Sequence, residues 1–416
     1  MLGRMMPPVP MQSDRKVSIP LYVAAHFGKS LWWNGSELFL AFYLTEHMRL
    51  APLVAAAAIA IGLMAGAAFD IVIAHRAARV TSLQDAGRLQ LIGAALSFAA
   101  LLLLIVALRV DGSGRVAIVV AANLGYRFAY TLYDLPQNCL LSLIDWTEDQ
   151  RRRAASGRTV ASAAAMLIMA ILVSLDRPLS DGTDHLMVAG ATAMVALGSS
   201  VALWRQTRLV RRNAATPTKV AVIGSGMGFA WPLGLMAIVC LTVPAFLKLT
   251  PYLTSYSQGA GGSLPLVIVA AATAGSQPVW LFVLRHDGER RAGLLAALLL
   301  AAASALTAKL WVAALLIGMA SGGLATIIWS SFAIIVADRA LASTAPAFAW
   351  LTATAKLALA VAAIGIGAIL SSADYRHDGA GLLPFMAGLI LIGGIATGLY
   401  TLMTARIRPG MRAGSA

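Results

Sequence analysis

The sequence predicts an all-α membrane protein with about twelve transmembrane helices. Hydrophobic residues make up 59% of its 416 residues and charged residues only 12%, whereas soluble domains carry roughly 25% charged residues. Apolar runs of about 20 residues, the length at which a helix crosses a bilayer, recur along the whole chain. Because about twelve such runs fit this length, we expect a bundle of about twelve spans.

Glycine, proline and charged residues separate the apolar runs and set the limits of the predicted helices. The loops between the first runs carry charges such as Arg76, Arg109 and Arg151, and later loops carry Arg285 and Arg339. The predicted helices cover 19–45, 51–75, 87–109, 115–143, 156–175, 185–204, 226–255, 263–285, 291–307, 309–337, 342–371 and 380–404.

Lysine and arginine residues are concentrated in alternate loops, which indicates how the helices cross the membrane. Loops rich in these residues stay in the cytoplasm, and the richer set comprises the N-terminus, the loops at Arg79 and 151–153, the segment 205–219, the loop at 285–291, Arg339 and the C-terminus. Both termini are therefore predicted to be cytoplasmic, in a multi-pass protein of the inner (plasma) membrane. The same loops account for the formal net charge of +14 without a nucleic-acid partner.

The longest basic connection divides six predicted helices from six. It gives an N-terminal tail at 1–18, a six-helix bundle at 19–204, a linker at 205–225, a second six-helix bundle at 226–404 and a tail at 405–416. Two such halves are typical of secondary transporters, in which the solute site lies between the halves and access alternates between the two sides. We expect the protein to work as a monomer.

Several charged residues fall inside the predicted helices, where charge is expensive. A charged side chain at the bilayer centre costs at least roughly 2.5–3.5 kcal/mol on insertion scales, so each one needs a partner, water or a function. Together they predict a polar cavity for a small-molecule solute, in which a bound cation, a proton or a basic side chain neutralises the carboxylates. The residues are Glu37, Asp70, Arg127, Asp134, Arg158, Lys248 and Lys356.

The basic members of this set have more than one interpretation. Arg127 either contacts the solute or is the structural partner of an acid. Arg158 either binds solute or extends its head group to the interface, and Lys248 is expected to extend to the interface. His26 is also expected near the inner surface.

Helical spacing gathers the polar residues into stripes. Residues three, four or seven positions apart share one face of a helix, so each stripe offers several polar groups to one cavity. The stripes are Ser30, Trp33 and Glu37 in the first predicted helix, Arg127, Tyr130 and Asp134 in the fourth, and Thr352 and Lys356 in the eleventh.

Short motifs run through most of the chain, in the same order in which a known family carries them. They are Phe27-Gly28-Lys29, Tyr130-Thr131-Leu132-Tyr133-Asp134-Leu135-Pro136, Arg158-Thr159-Val160-Ala161-Ser162, Gln277-Pro278-Val279-Trp280, Trp329 and Lys356. With this order and spacing the chain resembles the melibiose permease group, the glycoside-pentoside-hexuronide:cation symporters of the major facilitator superfamily. The resemblance implies the major facilitator fold, and symport of a sugar, glycoside or related small polar solute with a cation.

The resemblance also implies residue roles. It implies a solute site lined by Asp134 and Arg158, with Tyr130, Trp329 and Thr352 nearby, and we add Asn138 and Arg127 as candidates. It implies a cation site on the first, second and fourth helices with Lys356 close by. Our candidates for cation coupling are Asp70, Glu37, Lys356 and Ser30.

The chain departs from the family pattern where the cation would bind. Gly66 stands where the family carries a second acid one turn from Asp70, and Ser30 stands in place of the family's acid in the first helix. Glu37 could replace that acid, about two turns further along the helix. A sodium ion would lose a hard oxygen ligand, whereas a proton needs only one carboxylate, so we favour H⁺ over Na⁺ as the coupling ion.

Three other functions have to be weighed. Loss of the acid in the first helix would also suit an amphiphile such as a lysolipid, and a membrane sensor that does not transport would share the fold. An enzyme is disfavoured, because the sequence contains no HExxH, GxSxG or phosphate-binding glycine loop and no histidine cluster. We therefore predict no catalytic residues, no metal site and no cofactor beyond the coupling ion.

Overall fold

A computed structural model describes most of the chain. The described residues are 17–76, 82–107, 109, 110, 112, 114–174, 183–210, 227–257, 262, 264–339 and 344–405. The predictions for most of both tails, for Arg79 and for most of the linker at 205–225 concern residues outside these ranges.

The described residues form helices in the order that the apolar runs predict. A π-helical turn, Tyr43–His47, extends α1, and a 3₁₀ turn, Gly379–Leu382, precedes the last helix. The thirteen α-helices of the described part are α1 Ile19–Phe42, α2 Pro52–Arg76, α3 Leu83–Ala107, α4 Arg115–Leu143, α5 Glu148–Ser174, α6 Thr183–Leu209, α7 Met227–Tyr256, α8 Leu264–Gly275, α9 Gln277–His286, α10 Gly288–Ala305, α11 Leu310–Asp338, α12 Ala345–Ser372 and α13 Leu383–Ala405.

The all-α class is confirmed, and one predicted helix is broken. The run predicted at 263–285 forms α8 and α9, which meet at Ser276 at an angle of 40°. Pro278 lies in the first turn of α9, where its missing N–H costs no helical hydrogen bond. Eight helices of the described part are long and apolar enough to cross a membrane, and the bent pair gives a ninth if it counts as one span. The count of twelve spans and the orientation stay predictions.

Apolar side chains cover the outside of the bundle, while small residues line the contacts between helices. Leu103 and Val361 are 66% and 64% exposed, as a lipid-facing surface requires. Between α3 and α4, a Cβ added to Gly93 would lie 2.2 Å from the backbone of Leu132 and Tyr133. Close backbone approach at small residues is a common way for helices to pack in lipid.

Gly93 should therefore not tolerate even a methyl group. Gly93→Ala would drive its Cβ into the backbone of α4, so we expect a lower melting temperature for the purified protein in detergent. Gly125→Ala, within α4, is the matched control, because nothing lies within 4 Å of its added Cβ. That change should be neutral or stabilise by up to about 1 kcal/mol through helix propensity. Equal melting temperatures for the two variants would contradict the packing of α3 on α4.

Helices α2 and α12 form the broadest contact between the two predicted halves. Gly367 of α12 faces α2 so closely that an added Cβ would lie 2.4 Å from the Ala56 Cβ and 3.1 Å from the Pro52 carbonyl oxygen. Helix α5 packs on α8 and α11 in a second contact of this kind. The polar residues that the sequence analysis proposed for the site lie at these two contacts and on the neighbouring helices α1 and α4.

Candidate solute and coupling site

Glu37 is held by two cations. Its Oε1 accepts a hydrogen bond from Arg127 at 2.6 Å, and its Oε2 accepts one from Lys248 at 2.9 Å. Arg127 also lies over the Trp33 ring, 5.4 Å from its centroid. All three charged side chains are at most 8% exposed. The trio, named here the Glu37 cluster, joins α1 and α4 to α7 of the other predicted half.

Asp70 and Lys356 form an ion pair between α2 and α12. The Lys356 Nζ lies 2.6 Å from the Asp70 Oδ1, and the two side chains are 2% and 0% exposed. The Thr131 hydroxyl of α4 donates to the same carboxylate oxygen at 2.9 Å. An added Cβ at Gly66 would lie 3.4 Å from the Lys356 Cδ, so the lysine stem lies against the position at which the sequence resemblance led us to expect a second acid.

A third polar group, named here the Lys29 network, joins α1, α4 and α5. Lys29 Nζ lies 2.6 Å from the Asp134 Oδ1 and 3.0 Å from the Asn138 Oδ1. Arg158 donates to that same amide oxygen at 3.0 Å and to the Tyr22 hydroxyl at 3.2 Å. Asn138 therefore bridges the two cations, and Asp134 is neutralised within its own half.

Trp329 brings the other predicted half to this network. The Arg158 guanidinium lies 3.6 Å from the centroid of the Trp329 ring of α11, which is a cation–π contact. Two further candidates are satisfied by backbone groups. The Tyr130 hydroxyl donates to the Lys29 carbonyl at 3.5 Å, and the Thr352 hydroxyl to the Phe348 carbonyl at 3.0 Å.

Ser30 lies in a chain of hydroxyl groups apart from Asp70. Its Oγ is 3.0 Å from the Ser162 Oγ of α5, which is in turn 3.1 Å from the His26 Nε2. Asn34 donates to the Ser162 carbonyl at 3.0 Å. The four residues proposed for coupling therefore occupy three places: Asp70 with Lys356, Glu37 in its own cluster, and Ser30 beside α5.

Two sequence predictions were wrong and one cation was missed. Lys248 does not extend to the interface, because it is 6% exposed and paired with Glu37. His26 is 4% exposed and lies inside the bundle. Lys29 is the missed cation: it lies within the predicted helix 19–45 and is 2% exposed, and its charge in an apolar run could have marked it.

Several buried polar atoms near the Lys29 network lack a hydrogen-bond partner among the described residues. They are the Asn138 Nδ2 and, apart from the contact that Gln137 and His26 make with each other, the amide atoms of Gln137 and the His26 Nδ1. Buried groups of this kind are normally satisfied by protein, water or ligand. Within the described ranges, no group of three or more His, Cys, Asp or Glu side chains could hold a metal ion.

A fourth polar group is centred on Glu46 and joins the two predicted halves at one end of the bundle. This end is named here the Glu46 end. Glu46 follows α1 and accepts hydrogen bonds from the Tyr256 hydroxyl, from the Tyr375 hydroxyl at 2.9 Å and from Arg376 at 3.2 Å. Nearby, Thr45 and the Tyr252 hydroxyl are 2.9 Å apart. Partial burial alone would raise the pKa of Glu46, but the bonds from Tyr256, Arg376 and Tyr375 outweigh it and hold that pKa below its usual value.

This lowered pKa predicts acid sensitivity at the Glu46 end. The ionised carboxylate stabilises the folded state above its unfolded pKa of about 4.5, and that stability is lost as pH falls through the lower folded pKa. The melting temperature of wild-type protein should therefore fall more steeply than that of Glu46→Gln as pH drops below about 4.5. Other carboxylates titrate in both proteins, so the difference isolates Glu46. Parallel pH curves would show that Glu46 is not held as described.

Comparison of this helix arrangement with known proteins assigns the fold. No family model and no curated protein sequence matches the chain. The human organic anion transporter MFSD10 (TETRAN) aligns with a TM-score of 0.61 and 14% identity over 94% of this chain and 100% of its own. A bacterial homologue of the iron transporter ferroportin, in an outward-facing state, aligns with a TM-score of 0.66 and 13% identity over 93% of this chain and 99% of its own. This chain has the major facilitator fold.

The same ferroportin homologue with soaked iron aligns with a TM-score of 0.64. The major facilitator fold agrees with the coarse part of the sequence prediction, which is a multi-pass membrane protein built like a transporter. At 13–14% identity the likeness concerns the fold alone. It does not single out the melibiose permease group.

Proposed function

We propose that the protein is a secondary transporter that moves a small polar solute by alternating access between its two predicted halves. The observation that carries this proposal is the placement of buried ion pairs across those halves, from α2 to α12 and from α1 and α4 to α7. Ion pairs between two bodies can break and reform as the bodies rock, whereas a purely structural interface in lipid would more simply be apolar. The protein works as a monomer in the inner membrane.

The Asp70–Lys356 pair is the proposed coupling element. A proton on Asp70 would remove the attraction that holds Lys356, and α12 would then be free to separate from α2. A sodium ion is less well served, because the lysine stem covers Gly66 and the Lys356 ammonium already occupies the carboxylate, beside which lie the hydroxyls of Thr131 and Thr352. Coupling to H⁺ therefore fits these residues better than coupling to Na⁺.

The Lys29 network is the proposed solute site. Asp134, Asn138 and Arg158 offer both acceptors and donors to a solute with several hydroxyl groups, such as a sugar or glycoside, and Trp329 offers an aromatic face. The cargoes of the structural neighbours, an organic anion and iron, differ from each other, so they support transport without naming a cargo. The charged surroundings favour a polar solute over an amphiphile.

Vesicle transport tests the proposal. Full-length protein is reconstituted into vesicles that contain a pH-sensitive dye, and glucose, melibiose or glucuronate is added outside. We expect at least one solute to acidify the lumen, and Asp70→Asn to abolish the signal. Asp374→Asn is the control, since the Asp374 side chain is 77% exposed and, among the described residues, its ion pair is a local one with His377. Undiminished proton uptake in Asp70→Asn would refute the coupling assignment.

A further inference from the structure

The Glu37 cluster carries one more positive charge than negative charge. Arg127 and Lys248 both donate to Glu37 and are 1% and 6% exposed. Within the described chain, neither cation has a second carboxylate within 4.0 Å. Burial of charged groups is repaid only when they are paired and their remaining protons are hydrogen-bonded. The cluster therefore favours a partner that brings one further negative charge.

The unused donors of the cluster point the same way. The Nε and Nη1 of Arg127 are buried and have no hydrogen-bond partner among the described residues. Lys248 donates to Glu37, and an ammonium group has three N–H donors. Buried donors are normally satisfied by protein, water or ligand. Lys248 can therefore donate to a second acceptor without releasing Glu37.

A small cavity lies beside Lys248, between the two predicted halves. Its volume is about 20 Å³, which has room for one water molecule or one monoatomic ion but not for a sugar. The lining comes from α1 and its π-helical turn, α2, α7 and α12, and it is apolar apart from Lys248, Thr45 and Tyr252. Because these described lining residues include no carboxylate, Lys248 makes the cavity attractive to an anion.

Two hydroxyl groups add to the donors of the cavity. The Thr45 Oγ1 and the Tyr252 hydroxyl oxygen are 2.9 Å apart, so one hydrogen lies between them. The other hydrogen can bond to a backbone carbonyl of α1 or turn towards an ion. Glu46 lies near both residues, but Arg376 already pairs with that carboxylate. A larger oxyanion such as phosphate would need partners for three or more acceptor oxygens, so the cavity suits a halide.

We propose that this cavity binds a halide ion, chloride in the cell, with Lys248 as its main ligand. The halide supplies the negative charge that the Glu37 cluster lacks. Because the cavity is lined by α1 and α2 of one predicted half and by α7 and α12 of the other, the bound ion stabilises the contact between the halves near the Glu46 end. The site is separate from the Lys29 network and does not depend on which solute is transported.

Exchange of the anion at constant ionic strength tests the proposal on purified full-length protein. The melting temperature is recorded in mixtures of sodium chloride and sodium methanesulfonate, so that only the anion changes. We expect it to rise with chloride and to reach a plateau, as binding to the folded state requires. Bromide should act in the same way. The same melting temperature in both pure salts would overturn the proposal.

Lys248→Met removes the main ligand but leaves Glu37 paired with Arg127, so the variant keeps a neutral cluster and should fold. Its chloride affinity should fall by about 10- to 100-fold. Lys309→Met is the matched control, because Lys309 is exposed at the start of α11, and it should respond to chloride as the wild type does. An unchanged chloride response in Lys248→Met would indicate a general salt effect and would overturn the proposal.

Glu37→Gln separates a halide site from a purely structural role of the cluster. The substitution raises the net charge of the cluster from one to two, so chloride should bind more tightly and the plateau should be reached at lower concentration, although the protein is less stable. Tyr252→Phe loses only a hydroxyl and should weaken chloride binding by about 2- to 10-fold, which provides a test if Lys248→Met does not fold. Weaker chloride binding in Glu37→Gln, or unchanged binding in Tyr252→Phe, would contradict the site.

Discussion

Glu37→Gln is expected to destabilise the protein strongly. The change removes the only carboxylate that contacts Arg127 and Lys248 in the described chain, and leaves two buried cations without an anion. Breaking a buried ion pair by removing one partner costs about 3–5 kcal/mol. Thermal unfolding in detergent would measure the loss. Glu46→Gln, at the end of the bundle, should cost less at neutral pH because its carboxylate has neutral tyrosine partners and a half-exposed arginine.

A double variant separates charge imbalance from loss of packing. Glu37→Gln combined with Lys248→Met removes one acid and one base, so it should recover a large part of the melting temperature lost in Glu37→Gln. An unchanged deficit in the double variant would mean that the Glu37 cluster does not pair as the structure describes.

Lys356→Met is expected to abolish coupled transport and to destabilise the protein at neutral pH. Asp70 is fully buried, so without Lys356 its carboxylate must either stay charged at a cost of several kcal/mol or take up a proton. The variant should therefore become more stable as pH falls, because protonation relieves the unpaired charge. A melting curve recorded from pH 8 to pH 5 would measure this, with wild-type protein as reference.

The charge-neutral pair variant gives the control. Asp70→Asn combined with Lys356→Met should restore stability at neutral pH without restoring proton uptake in vesicles. Proton uptake at the wild-type rate in this double variant would place the coupling group elsewhere, and Glu37 would be the next residue to test.

The helices could be predicted because hydrophobicity is a local property of the sequence. Twelve apolar runs were predicted, and each corresponds to a described helix or, at 263–285, to a bent pair. The break at Ser276 was missed because the run stays apolar through it and Pro278 is tolerated in a first turn.

The identity of the buried charges was also largely predictable, but their pairing was not. Asp70 and Lys356 are 286 residues apart, and Glu37 and Lys248 are 211 apart, so only the tertiary fold decides which acid meets which base. Lys248 was assigned to the interface from its distance to a helix end. Its stem in fact turns inward, because Glu37 offers a partner that the lipid interface does not.

The family resemblance grouped residues that the structure separates. Starting from it, we grouped Ser30 and Glu37 with Asp70 as coupling candidates, whereas each has other partners. Similar motifs show that residues are spaced alike along one helix, but they do not show which charges a neighbouring helix brings. Here α1 brings Lys29 to Asp134 of α4, and this ion pair changes the role expected for Asp134.

The most direct test of the Asp70–Lys356 pair as the coupling element is the distance between α2 and α12 at the Glu46 end. Spin labels at Leu53 and Ser371, both exposed, would report it by pulsed electron paramagnetic resonance, with Cys139 and Cys240 replaced by alanine. We expect one short distance in wild-type protein at neutral pH, and a second, longer population in Asp70→Asn, which mimics the protonated acid. A single short distance in both proteins would contradict the claim that the Asp70–Lys356 pair holds the two halves together.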